Sequence, residues 1–182
     1  MVLPLPPLLP APTHHADCCL SLSAPLLHAL AQHLPKTGAV LSVGSGSGLL
    51  EAHLAARLGR PVHGADVANA NLSDAAALNR YLPDECAWPV HGTWDLCPLA
   101  QHAPAWLFVY PREPALVRRY FDVFAARPAD PVRVVVWLGP RADWPDYEAV
   151  LAGRKHWSVH VIEGAGLVPY EMIVVVRRNA GV

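Results

Sequence analysis

The sequence lacks an excess of charge of either sign. Lys and Arg number 14 against 15 Asp and Glu, a formal net charge of −1. No global field therefore draws the chain to nucleic acid or to an acidic lipid surface, and nucleic acid is not expected to be a partner of the chain alone. The arginine pairs Arg118-Arg119 and Arg177-Arg178 are expected to be solvated. No stretch approaches the roughly 18 uninterrupted apolar residues of a membrane span, so no membrane partner is expected. The Leu- and Pro-rich start, residues 1–12, has no positive n-region, and prolines break its apolar run; it reads poorly as a signal peptide. Cys18, Cys19, Cys86 and Cys97 form no CxxC pair and no zinc spacing. No metal site is expected, and reduced thiols suit the cytoplasm, with the nucleus as an alternative.

What is present is apolar. Hydrophobic residues make up 53% of the 182, which argues against disorder. The length suits one domain with a sizeable core. Residues 1–15 read as a loosely ordered, flexible arm and 16–182 as a single domain. Asn71-Leu72-Ser73 fits a glycosylation sequon but reads as a turn ahead of a helix.

Nineteen prolines divide the chain into short units. Ser23-Ala24-Pro25 is a helix start, with a hydroxyl cap and a proline in the first turn. Leu27, Leu30 and Leu34 then share a face. A short strand is expected at 39–43, a helix carrying Leu50, Leu54 and Leu58, a strand at 61–66 and a helix at 73–81. Further strands are expected at 87–91, 105–110 and 132–138. The helix after Pro114 places Val117, Tyr120, Phe121 and Phe124 on one face. A short helix at 146–151 precedes two closing strands, 157–162 and 171–178. Strands alternating with helices imply an α/β fold with a mostly parallel sheet, and the closing pair suggests an antiparallel finish.

The sharpest signal is Gly44-Ser45-Gly46-Ser47-Gly48, between a strand and a helix. Glycines there allow a sharp turn and a close approach of the backbone to a ligand. A phosphate-binding P-loop needs a Lys after the last glycine, and none follows Gly48. A dinucleotide fingerprint needs a third glycine where Leu49 stands. The spacing is GxGxG. About 20 residues on, Asp66 ends the next strand, with Val67 beside it. A carboxylate there can accept from both hydroxyls of a ribose.

The GxGxG loop, Asp66 and the order of elements from about residue 22 to the end resemble class I S-adenosylmethionine-dependent methyltransferases. The resemblance implies a Rossmann-like three-layer sandwich with a mostly parallel seven-stranded sheet and an antiparallel last strand. It also implies S-adenosylmethionine as cofactor, held by Gly44, Ser45, Gly46, Gly48, Asp66 and Val67. Members often carry an acid two residues before the first glycine; here Ser42 stands there, so the charge facing the cofactor's ammonium group is absent or comes from another acid.

Thr93 and Trp94, with Asp95, stand where members place a residue near the adenine; the alternative is a packed core Trp beside a turn acid. Tyr110, Pro111 and Arg112 stand where many amino-group methyltransferases hold an Asn or Asp before Pro-Pro-Tyr. That Asn or Asp is missing. Tyr110 is then expected to line the pocket or accept a proton, and Arg112 to hold an anionic substrate; the alternative is a proline-bounded strand exit. His63 and His91 lie near strand ends as possible general bases, although methyl transfer needs little acid–base help.

Three functional readings result. The first is methyl transfer to a small molecule or a protein side chain. The second is a non-catalytic scaffold or binding subunit, with Trp144 and Tyr147 as exposed interface aromatics. The third, a nicotinamide-dependent oxidoreductase, has the glycine spacing against it and no Tyr-x-x-x-Lys pair. The chain has little room for a separate recognition domain, so a homodimer or a partner subunit is expected to complete the pocket.

Overall fold

The computed structural model describes residues 2–68 and 78–179. Of the helix expected at 73–81, residues 73–77 lie outside the described residues, as does the Asn71 sequon. Residues 78–80 form a turn.

The chain runs β1 (Thr13–His15), β2 (Cys18–Leu22), α1 (Ala24–His33), β3 (Val40–Val43), α2 (Leu49–Leu58), β4 (Val62–Val67), β5 (Ala87–Val90), β6 (Ala105–Val109), α3 (Pro114–Phe124), β7 (Val134–Pro140), α4 (Trp144–Leu151), β8 (Trp157–Ile162) and β9 (Glu171–Arg178). Seven strands form one sheet in the order β5-β4-β3-β6-β7-β9-β8. All neighbours from β5 to β7 are parallel. β9 enters antiparallel between β7 and β8. The expected α/β sandwich, with its antiparallel last strand, is the architecture observed.

Sequence explains most of this order. β6 and β7 are buried along nearly their whole length, as continuous apolar runs demand in a sheet covered on both faces. α1 and α2 pack together on one face, α3 and α4 on the other. Residues alternate between the two cores: Val40 and Leu107 face the α1 side, Leu41 and Trp106 the α3 side. On the α3 side Trp106 meets Tyr120 and Phe121 edge-on, with ring centroids 5.9 and 5.7 Å apart. Such aromatic pairs add to the area they bury.

Ser23 caps α1: its hydroxyl accepts from the Leu26 amide at 3.1 Å and donates to the Gly166 carbonyl at 2.6 Å. Ser23→Ala is expected to cost about 1–2 kcal/mol, the usual worth of a cap, seen as a lower urea midpoint with unchanged slope.

Three features depart from expectation. β1 and β2 form an antiparallel hairpin ahead of the first expected element. Tyr147 is buried, only 3% exposed, and Trp144 is half-buried, so they do not form an open aromatic surface. Tyr147 falls on the core face of α4, its ring tilted against Trp137 with centroids 5.3 Å apart. Arg178 and Arg177 are half-buried rather than freely solvated. Arg178 lies over the Trp157 ring at 4.8 Å and donates from its two terminal nitrogens to the Arg127 and Ala125 carbonyls, while its Nε is buried without a partner among the described residues. Arg118 and Arg119 are exposed, as expected.

Candidate functional site

β3 is the strand at which the sheet order reverses, with β4 on one side and β6 on the other. Loops leaving such a switch point line the ligand crevice of open α/β sheets. The loop leaving β3 is Gly44 to Gly48. Gly44, Gly46 and Gly48 have φ of +82°, +56° and +80°, a region that side-chain-bearing residues rarely adopt. A Cβ on Gly46 would meet nothing within 4 Å, so the loop opens at its middle glycine among the described residues.

Asp66 turns into this loop. Its carboxylate accepts from the Gly46 amide at 2.6 Å and from the Val67 amide at 2.7 Å. The Gly44 amide bonds the Ala65 carbonyl at 2.8 Å, which carries β3 and β4 together to the crevice. The outer side of the loop is clamped. The Asn79 amide donates to the Gly46 carbonyl at 2.8 Å and the Tyr81 amide to the Ser47 carbonyl at 3.1 Å. Ser45 Oγ bonds Asn79 at 2.7 Å. Ser47 Oγ donates to the Asp17 carbonyl at 2.6 Å, in the turn of the β1–β2 hairpin. The Asp17 carboxylate takes the Tyr81 hydroxyl at 2.9 Å and pairs with Arg80.

Two buried acids complete the surroundings, and neither was signalled by composition or spacing. Ser42, fully buried, donates its hydroxyl to Glu51 Oε1 at 2.6 Å. Glu51 lies in the first turn of α2, 1% exposed, and its Oε2 is buried without a partner among the described residues. Burial pushes the Glu51 carboxyl up to about 7, with the Ser42 hydrogen bond opposing and Asp66 adding to the rise. Its only sequence sign is an acid set between Leu50 and Leu54 on the apolar face of α2.

Glu171 opens β9 and is also 1% exposed. It accepts from the Tyr110 hydroxyl at 2.7 Å, the Ser21 amide at 3.1 Å and the Ser21 hydroxyl. This ties the hairpin, the exit of β6 and the last strand into one knot. Tyr110 adopts φ +47°, uncommon for a tyrosine, and its amide bonds the Leu138 carbonyl at 2.7 Å. Burial, then the Glu171 hydrogen bond, push its phenol well above the usual tyrosine range, so it is a donor at neutral pH and not a base. The Pro111 carbonyl receives the Tyr147 hydroxyl, and Arg112 is exposed.

The remaining candidates stand apart from the loop. Thr93 and Trp94 are exposed, in a turn past β5 at the same end of the sheet. Trp94 is 45% exposed, and its carbonyl is held by Arg119 at 2.6 Å on the α3 side. Asp95 accepts from the His91 amide at 3.1 Å. His63 accepts from Trp88 Nε1 at 3.2 Å, and burial lowers its pKa. The structure thus brings together the glycine loop, Asp66 and Val67, and sets Tyr110 and Pro111 in the Glu171 corner. No hydrogen bond among the described residues joins Thr93, Trp94, His63 or His91 to the loop.

A strand-switch crevice in a mostly parallel seven-stranded sheet with an antiparallel last strand is a Rossmann-like arrangement, and this chain has that fold, the one seen in class I methyltransferases. Solved structures agree. The M1A22 tRNA methyltransferase TrmK of B. subtilis superposes with a TM-score of 0.56 at 12% identity, over 88% of this chain and 68% of that one. A Streptococcus pneumoniae protein solved in complex with S-adenosyl-L-methionine gives 0.55 at 16%, over 86% and 73%. The E. cuniculi Mtq2–Trm112 complex, responsible for methylating the termination factor eRF1, gives 0.52 at 18%, over 85% and 93%. No protein-family model and no curated protein matches the sequence.

Proposed function

We propose that this chain binds S-adenosylmethionine at the Gly44–Gly48 loop and transfers its methyl group to a small molecule or a protein side chain. The observation that carries the reading is the Asp66 carboxylate turned onto the Gly46 amide at 2.6 Å, beside the open middle of the loop. Asp66 would exchange that contact for the ribose hydroxyls, two donors that a carboxylate accepts together. The positive-φ glycines let the backbone approach the ligand without side-chain obstruction. Bound S-adenosylmethionine supplies an already activated methyl group, so the protein's task is chiefly to align the acceptor. Tyr110 and Pro111 form the wall on the acceptor side, and exposed Arg112 offers a bidentate grip on an anionic acceptor. The solved complex with S-adenosyl-L-methionine on the same fold supports the cofactor, and the Trm112 complex supports a search for a partner subunit.

Calorimetry with S-adenosylmethionine and S-adenosylhomocysteine tests the reading directly. Wild type is expected to bind both, and Asp66→Ala to bind about 30-fold more weakly or worse, since charge-assisted hydrogen bonds contribute about 1.5–3 kcal/mol each. Well-folded wild type that binds neither ends the proposal. A second reading, a binding subunit without catalysis, is favoured by the missing Asn or Asp at 110–113 and by the engagement of Tyr110 with Glu171. Cofactor binding with no labelled product from a cell extract would select it.

A further inference from the structure

We propose that the Ser42–Glu51 pair is the ammonium-binding element of the site, Glu51 supplying from α2 the negative charge that β3 does not carry. The inference rests on the cofactor reading above and assigns the end of the ligand that this pair meets.

A carboxylate sealed from water is costly unless a cation or several donors compensate it. Glu51 has one side-chain donor, Ser42 Oγ, on one oxygen, with its own backbone amide also favouring the charged form. Its other oxygen has none. No Lys, Arg or His pairs with it among the described residues, and none occurs in the sequence from 69 to 77. The charged and titratable groups that face it are Asp66 of β4 and Cys18 of β2. Asp66 adds negative charge, and burial pushes the Cys18 thiol up to about 12, so it stays neutral. The place is therefore electronegative, and no cation of the described residues pairs with it.

Position decides which cation belongs there. Glu51 is the third residue past Gly48, and Ser42 the second before Gly44, so the pair brackets the loop from beneath. With Asp66 holding the ribose at the β4 side, the amino acid end of the ligand runs toward β3. A primary ammonium offers three donors, enough for the free Glu51 oxygen. Ser42 fixes the carboxylate's orientation and adds no charge of its own.

Two probes separate this contact from the rest of the site. S-adenosylhomocysteine carries the ammonium, whereas 5′-methylthioadenosine keeps the nucleoside and thioether without it. For the full chain at pH 8, Glu51→Gln is expected to weaken S-adenosylhomocysteine about 30-fold and leave 5′-methylthioadenosine within about twofold. Ser42→Ala should weaken the first by about 3- to 10-fold. In wild type, binding of S-adenosylhomocysteine is expected to strengthen about tenfold from pH 6 to pH 8, as Glu51 ionises, with 5′-methylthioadenosine flat over that range. This pH test needs no variant to fold.

Stability gives an independent readout. The folded pKa of Glu51 is raised, so its contribution is full below the unfolded value and is lost as pH rises through about 7. Glu51→Gln should therefore raise the unfolding midpoint by about 3 °C or more at pH 8 and leave it nearly unchanged at pH 4. An unchanged midpoint at pH 8 would mean that the carboxylate is already compensated, and would overturn the inference. So would equal losses for both probes, or S-adenosylhomocysteine binding that ignores both Glu51→Gln and pH. Wild type that binds neither probe removes the cofactor reading itself, and the inference with it; binding of 5′-methylthioadenosine alone removes only the inference.

Discussion

Glu171→Ala is expected to lower the thermal unfolding midpoint by roughly 10 °C or more. The change removes the shared acceptor of the Tyr110 hydroxyl, the Ser21 amide and the Ser21 hydroxyl, all in the buried corner where the hairpin meets β9. A buried donor left without an acceptor costs about 1–3 kcal/mol. Three such donors sharing one partner do not add in full, so a total of about 3–5 kcal/mol is expected, and each kcal/mol moves the midpoint by about 2–4 °C at this chain length. Tyr110 also loses the contact that helps to hold its φ of +47°. Ser21→Ala, which removes one donor and keeps the acid, should cost about a third as much. Differential scanning calorimetry on the three proteins measures this. A shift below about 3 °C for Glu171→Ala would mean that the apolar contacts of Leu20 and Leu22 alone fasten the hairpin.

The second large effect is on binding. Gly64 lies in the middle of β4, opposite Ser42. A Cβ at that position would stand 2.6 Å from both Ser45 Oγ and Asn79 Oδ1, and 2.8 Å from Ser45 Cβ. The strand cannot yield, because it is hydrogen-bonded on both sides. The loop must move instead, and with it the Asn79 clamp and the Asp66 contact. Gly64→Ala is expected to cost about 1–3 kcal/mol of stability, the usual result of overpacking, so the protein remains folded. Binding of S-adenosylhomocysteine should nevertheless fall more than 100-fold, since a small displacement of a positioning loop removes several contacts at once. Calorimetric titration alongside far-ultraviolet circular dichroism separates the two effects. Near-normal affinity in Gly64→Ala would show that the ligand does not depend on this loop geometry.

The architecture was legible because its elements carry strong local signals. The continuous apolar runs at 105–110 and 132–138 read as strands buried on two faces, and Ser23-Ala24-Pro25 reads as the opening of a helix. The glycine loop and Asp66 were legible as neighbours because a glycine-rich turn between strand and helix lies beside the end of the next parallel strand, where the Asp66 carboxylate meets the Gly46 amide. The hairpin was not. Thr13-His14-His15 and Cys18-Cys19 show no alternation, since β1 and β2 gain their place from Glu171 and Ser47, far away in sequence. Glu51 and Glu171 were not legible for a related reason. Acidic residues are almost always on the surface, and only the folded arrangement shows Ser42, Tyr110 and Ser21 converging on them. Tyr147 was misread because a short helix with one apolar turn gives no sure face.

The knot around Glu171 joins Ser21 to a residue 150 positions later, and Ser23 reaches 143 positions forward to Gly166. A chain growing from its amino end cannot make either contact until 143 residues past Ser23 and 150 past Ser21 have been added. The hairpin must wait for Glu171 to be made before Ser21 finds its partner. Chain delivery at about 5–20 residues per second makes that wait many seconds. During it the leucines of β2 and α1 lack the β9 side chains that cover them, Ile173 and Val175 among others. The nascent protein is therefore exposed to misassociation until β9 has been made.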